Sequence, residues 1–238
     1  MKHRYQTLLE EYLDGADHLV PITNEDIYKY VADRTGMGPD AVRPPVNMAL
    51  SRLEKMRPDL FRFQNGVYYR AKETVFGHAK LDPTAVIRKK YIVDEDEVIG
   101  YETGLSLLNK AGLTTQVPAY RFVATNRHRG RGLMREETLK VLLSRPIAKV
   151  THDNHLYLQT LEMIVALIKN RDNIQTDDPY GLIYEHIRRL DLDASKLLYY
   201  AGECGNAKLA DELVKVYHRG VRDEIGTVSK TPNSGASS

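Results

Sequence analysis

The chain has 238 residues, 42% of them hydrophobic and 28% charged, with a net charge of +2, a balance that suits one large or two small globular domains and carries no whole-molecule field for or against nucleic acid. A single cysteine, Cys204, excludes an intramolecular disulfide and any multi-cysteine metal site, and with no Trp and four Phe the core must be mainly aliphatic. No run approaches the roughly 18 apolar residues of a membrane span, and residues 1–11 lack the apolar stretch of a signal peptide, so a cytoplasmic protein with no membrane partner is expected.

In chain order, the apolar periodicity predicts a first helix over residues 2–13, with Tyr5, Leu8, Leu9 and Tyr12 on one face and Gly15 as its stop. Thr23 or Asn24 is placed to cap a second helix that turns Ile27, Tyr30 and Val31 inward and ends near Gly36. A turn through Gly36, Gly38 and Pro39 leads to a third helix from about Pro44 to Met56, ended by Arg57-Pro58-Asp59. Residues 60–70 then read as a hairpin: Asn65-Gly66 supplies the two positive-φ residues of a type I′ turn, between aromatic and β-branched flanks. Three helices followed by a tight hairpin is the element order of a winged helix-turn-helix.

A linker-like stretch follows, and helices are predicted over 83–91 and 98–111, the latter closed by Gly112. A strand is expected over 120–125, a basic glycine-containing loop over 127–132, and strands over 138–143 and 147–151 with Pro146 between them. Four further helices are expected over 154–171, 182–190, 194–202 and 207–216, and the Ser/Thr/Gly/Pro-rich stretch 226–238 reads as a disordered tail. The predicted class is therefore α+β, mostly helical. It comprises a winged helix-turn-helix over 1–80, an α+β domain over 81–225 that ends in a helical bundle, and the tail.

Charge is unevenly distributed. Residues 43–70 hold six basic side chains (Arg43, Arg52, Lys55, Arg57, Arg62, Arg70) against Glu54 and Asp59, the kind of local excess a phosphate backbone selects. On the third helix Val46, Ala49, Leu50 and Leu53 form the inward stripe. The opposite face then offers Asn47, Met48, Ser51, Arg52 and Lys55, with Arg43 just before it. Asn, Ser and Arg are residue types that read base edges in the major groove, and Lys55 suits phosphate. Arg62, Asn65 and Arg70 would form the flanking wing. A solvated amphipathic surface accounts for the same residues, and winged helices also bind proteins. The alternative is thus a protein-interaction module, or a stand-alone transcriptional regulator without a toxin partner.

Two stretches carry a family resemblance. Val46-Asn47-Met48-Ala49-Leu50-Ser51-Arg52-Leu53, followed by Phe61-Arg62 and Asn65-Gly66-Val67-Tyr68-Tyr69, resembles the winged-helix signature of the AbiEi-like antitoxins of type IV toxin–antitoxin (abortive-infection) systems. Gly100-Tyr101-Glu102-Thr103-Gly104 through Gly112-Leu113-Thr114-Thr115-Gln116-Val117-Pro118 is similar to a second motif of that family. Leu197-Leu198-Tyr199-Tyr200-Ala201 with residues 207–213 looks like its closing helices. The resemblance implies a repressor that binds double-stranded DNA at inverted repeats in its own promoter and counters a cognate nucleotidyltransferase-type toxin in phage defence. Two features depart from the family pattern: Arg57-Pro58-Asp59-Leu60 replaces a glycine-containing turn, and the loop around His128-Arg129-Gly130-Arg131 is more basic.

Other constellations read as structural. His152-Asp153-Asn154-His155 lacks a Glu or Cys partner for zinc and suits a helix start. Asp94-Glu95-Asp96-Glu97 cannot converge on one cation, since consecutive side chains diverge. No phosphate-binding Gly-Lys-Ser/Thr loop or nucleophile elbow occurs. The expectation is a non-enzyme with no cofactor and no metal. Arg121, Arg127, Arg129 and Arg131 form a second basic patch, suited either to an acidic partner surface or DNA backbone, or simply to a charged loop.

Overall fold

The computed structural model describes residues 2–228, with side chains from Arg4 to Arg222. It is α+β, and the chain divides into two compact units, Met1–Lys89 and Lys90–Ser238, against an expected boundary at residue 80.

The first unit runs α1 (Lys2–Gly15), β1 (Ile22–Thr23), α2 (Asn24–Thr35), α3 (Pro39–Met56), β2 (Leu60–Gln64), β3 (Val67–Arg70), β4 (Glu73–Thr74), β5 (Gly77–His78) and α4 (Pro83–Ile87). Thr23 begins α2 with a reciprocal cap: its Oγ1 accepts from the Asp26 N–H, and the Asp26 carboxylate accepts from the Thr23 N–H. Gly36 closes α2 in the left-handed conformation at φ 70. Helix α3 starts earlier than its proline pair suggests: Pro39 takes the first helical position behind Gly38, and Pro44 and Pro45 lie inside the helix. Neither proline has an N–H to donate, so the carbonyls of Asp40 and Ala41 lose their helical partners and the first turns are held mainly by packing. That packing joins Leu9 and Leu13 of α1 to Ile27 and Val31 of α2 and to Val42, Val46, Leu50 and Leu53 of α3, all at most 1% exposed. Truncating any one of these leucines to Ala would cost about 2–5 kcal/mol.

Strands β1, β3 and β2 form an antiparallel sheet in that order. The Asn65-Gly66 turn is not type I′. Only Gly66 has a positive φ, at 74, and the register shifts between Arg62 and Gln64. A bulge supplies the twist that a mirror-image turn would otherwise give. The Gly66 carbonyl accepts from the Asn24 N–H at 3.0 Å, which ties the hairpin tip to the start of α2.

In the second unit, after a π-helical turn over Arg88–Ile92, come β6 (Val93–Asp94), β7 (Glu97–Val98), β8 (Gly100–Thr103), α5 (Gly104–Lys110), β9 (Arg121–Thr125), β10 (Met134–Glu136), β11 (Val141–Ser144), α6 (His155–Lys169), α7 (Pro179–Arg189), α8 (Ala194–Glu203) and α9 (Ala207–Val228). The segment 98–111 expected as one helix is thus two strand pieces and a short helix. Gly100 sits where an added Cβ would lie 2.1 Å from the Tyr91 carbonyl oxygen and 2.6 Å from that of Ala124, and Gly104 turns the chain at φ 59. Those two glycines let backbone pack against backbone and then break direction, which no periodicity reveals. Residues 147–151 are not a strand. The sheet order is β10-β11-β9-β8, with β9 and β11 parallel and the other pairs antiparallel. Leu161, Ile164, Ile183, Leu197, Leu209 and Leu213 make the core of the helical part. Helix α9 continues to Val228, past the expected start of the tail, and the rest of that stretch lies outside the described residues. No helix among the described residues is long and apolar enough to cross a membrane.

Candidate nucleic-acid interface

The outward face of α3 carries Asn47, Met48, Ser51, Arg52 and Lys55, all solvent-exposed. Met48 is 53% exposed, and Ser51, Arg52 and Lys55 make no hydrogen bond or ion pair with any described residue. Asn47 is held: its Oδ1 accepts from the Tyr28 hydroxyl at 2.7 Å, which leaves the amide nitrogen as its outward donor. Tyr28 is otherwise core, 7% exposed. Arg43 pairs loosely with Asp40 at 3.5 Å and lies over the Tyr28 ring at 5.5 Å. On the hairpin, Arg62 donates to the Asn65 side-chain oxygen at 2.6 Å, and both residues are exposed.

Arg70 departs from the expected wing. Its Nε donates to Asp59 at 2.9 Å, and a terminal nitrogen donates to the carbonyls of Leu13, Asp14 and Ala16 at 3.0–3.2 Å. It therefore caps the C-terminal end of α1, where a cation meets the helix dipole. Arg57 grips Asp59 through two nitrogens at 3.0 Å and reaches Asp14 at 2.7 Å. The Arg57 hydrogen bonds, reinforced by Arg70, outweigh burial and hold the Asp59 carboxyl at about 2. The same contacts hold the Arg57 guanidinium above its ordinary range. This clamp joins α1 to the strand pair and engages the Arg70 guanidinium within the protein, with its side chain 16% exposed. Of the six basic residues in 43–70, Arg43, Arg52, Lys55 and Arg62 remain directed at solvent.

A feature with no clear signal in the sequence lies beyond the sheet. The β4–β5 hairpin holds Val75 and Phe76 at its tip, 93% and 97% exposed. It is anchored by His78 against the Phe61 ring at 5.0 Å.

In the second unit the four arginines of the expected patch part company. Arg121 is partly buried on β9, with one guanidinium nitrogen out of reach of any described acceptor. Arg127 donates to the Lys90 carbonyl and pairs with Asp94, both at 2.8 Å. Only Arg129 and Arg131 are left facing water without a described partner. The acidic run has a structural place: Asp94 and Glu97 pair in the β6–β7 hairpin, and Asp94 holds Arg127. Asn154 does not cap α6 through its side chain. Its amide instead bridges the Thr151 N–H and the Lys149 carbonyl.

No family model matches the chain, and no curated protein does. Among solved structures, the chain is similar to the crystal structure of the RV2827C protein from Mycobacterium tuberculosis, with 13% sequence identity and a TM-score of 0.38, covering 88% of this chain and 77% of that one.

Proposed function

We propose that the first unit is a winged helix-turn-helix that binds double-stranded DNA, with α3 as the reading helix and the β2–β3 hairpin as the wing. The observation that carries this reading is the unpartnered strip Ser51, Arg52 and Lys55 on α3, within one unit that also exposes Arg62 and Asn65 at a hairpin tip. Side chains that find no use inside the protein, on a helix width that fits the major groove, are free to contact bases and phosphates. Tyr28 pre-orients Asn47, which lowers the entropy lost when that amide meets a base edge.

Taken with the resemblance to AbiEi-like antitoxins, the proposed role is a cytoplasmic repressor of its own promoter that antagonises a co-encoded nucleotidyltransferase-type toxin. The test has two parts. Promoter DNA should be retarded in gels by the wild type and not by Arg52→Ala/Lys55→Ala, and co-expression should relieve the growth arrest caused by the product of an adjacent toxin gene. Unchanged retardation by the double variant would remove α3 as the reader. A protein-binding module is the second reading, favoured by the exposed Val75 and Phe76. It predicts no salt-dependent affinity for DNA.

A further inference from the structure

The parallel strands β9 and β11 end at the same edge of their sheet, and the residues that follow both ends line a cavity of about 400 Å³. Arg129 and Lys149 stand in its wall with Arg145; none of the three pairs with a described residue, and no carboxylate lines this cavity. Arg145 and Ile147 also line a second cavity of about 540 Å³. The two spaces therefore share Arg145 and Ile147 in their walls, and the first lies outside the carboxyl ends of parallel strands, where open α/β sheets bind ligands.

The second cavity has a different chemistry. Phe122 offers an aromatic wall, packed so closely on Gly104 that a Cβ there would lie 3.0 Å from its ring. Like Lys169, Glu162 lines the same cavity. Its Oε2 accepts from the Thr103 hydroxyl at 3.1 Å, and its Oε1 receives no hydrogen bond from any described residue. Burial pushes this carboxyl above the usual range, against the Thr103 hydrogen bond and the Lys169 charge; Oε1 is left as an open acceptor.

We propose that these two neighbouring cavities together bind a free nucleoside phosphate. The phosphates sit among Arg129, Arg145 and Lys149, and the base lies against Phe122 and donates from an exocyclic amino group to the open oxygen of Glu162. Three features require that class together. A pocket with Arg129, Arg145 and Lys149 in its wall and no carboxylate selects phosphate. A flat apolar wall selects a ring. A lone carboxyl with an open oxygen discriminates among ring edges, because a buried polar group left unpaired is costly. The site is independent of the DNA reading of the first unit.

The experiment is calorimetric titration of the full chain with ATP, CTP, GTP, UTP, inorganic tripolyphosphate and a short duplex DNA. At least one of ATP, CTP and GTP, which carry an exocyclic amino group, should bind at least tenfold more tightly than tripolyphosphate and UTP. Arg145→Ala and Lys149→Ala, both surface changes, should each weaken that binding several-fold. Glu162→Gln keeps an acceptor oxygen and should retain the preference, whereas Glu162→Leu should abolish the discrimination between bases. The proposal is overturned if no nucleotide binds at millimolar concentration, if tripolyphosphate binds as well as every nucleotide, or if only the duplex binds. It is also overturned if Glu162→Leu, folded by circular dichroism, leaves the base preference intact.

Discussion

Substituting Arg52 and Lys55 by Ala should change the salt dependence of DNA binding by an amount set by the number of cations left. In the first unit Arg43, Arg52, Lys55 and Arg62 are directed at solvent, and Arg57 and Arg70 are locked in the Asp59 clamp. If each of the four meets one phosphate, log K falls against log salt with a slope of about −3.6, a loss of affinity of about 150-fold between roughly 50 and 200 mM salt. The double variant keeps two such contacts, so its slope should be about −1.8 and its loss over the same range about 12-fold. Fluorescence anisotropy on a short duplex of arbitrary sequence reads this directly, since phosphate contacts do not depend on sequence. Arg70→Ala is the control. It should leave the slope unchanged but lower stability by about 2–3 kcal/mol, through loss of charge-assisted hydrogen bonds. A wild-type slope in the double variant, or a reduced slope in Arg70→Ala at a temperature where it is folded, would show that the basic surface has been drawn wrongly.

Three further outcomes follow from named contacts. The Asp59 carboxyl sits at about 2 in the folded chain, below its ordinary range, so its stabilisation is full above about pH 4 and is lost as pH falls towards 2. Urea titrations should show about 1–2 kcal/mol lost by the wild type across that window after solvent screening, with Asp59→Asn nearly flat. Gly100→Ala drives a methyl group into the carbonyls of Tyr91 and Ala124. It should lower the melting temperature by more than about 8 °C, as an overpacked site with no flexible neighbour to yield. Tyr28→Phe keeps the buried ring and removes the hydrogen bond to Asn47. The fold should persist, while discrimination between operator and single-base variants in competition assays weakens about fivefold, the worth of about 1 kcal/mol.

What the sequence makes legible is local. The Thr23 cap, the amphipathic stripe of α3 and the Asn65-Gly66 reversal are short-range signals, and the structure contains each of them. Long-range pairing is where the reading stops. Arg70 looks like a wing cation because its partners are Asp59 and carbonyls more than fifty residues away in sequence. Residues 100–104 look helical because the reason for Gly100 lies across the sheet, in Tyr91 and Ala124. Arg127 looks unpaired for the same cause, with Asp94 brought to it by the fold. The start of α3 was hidden differently: a double proline ordinarily opens a helix, and here the interior tolerates it because Val42 and Val46 bury the surrounding turns.

The strand order of the second unit makes one of its strands a shared support for two others. Strand β11 lies between β9 and β10, although it comes after both in the chain. The segment 126–133 must therefore step over an empty lane about 10 Å wide, two strand spacings, before β10 can turn back. A ribosome that has released β10 but not β11 holds a strand with no edge to join, since β10 pairs with β11 alone. Both outer pairings of this half of the sheet run through residues 141–144, antiparallel to β10 and parallel to β9, so a change that weakens β11 detaches β10 as well.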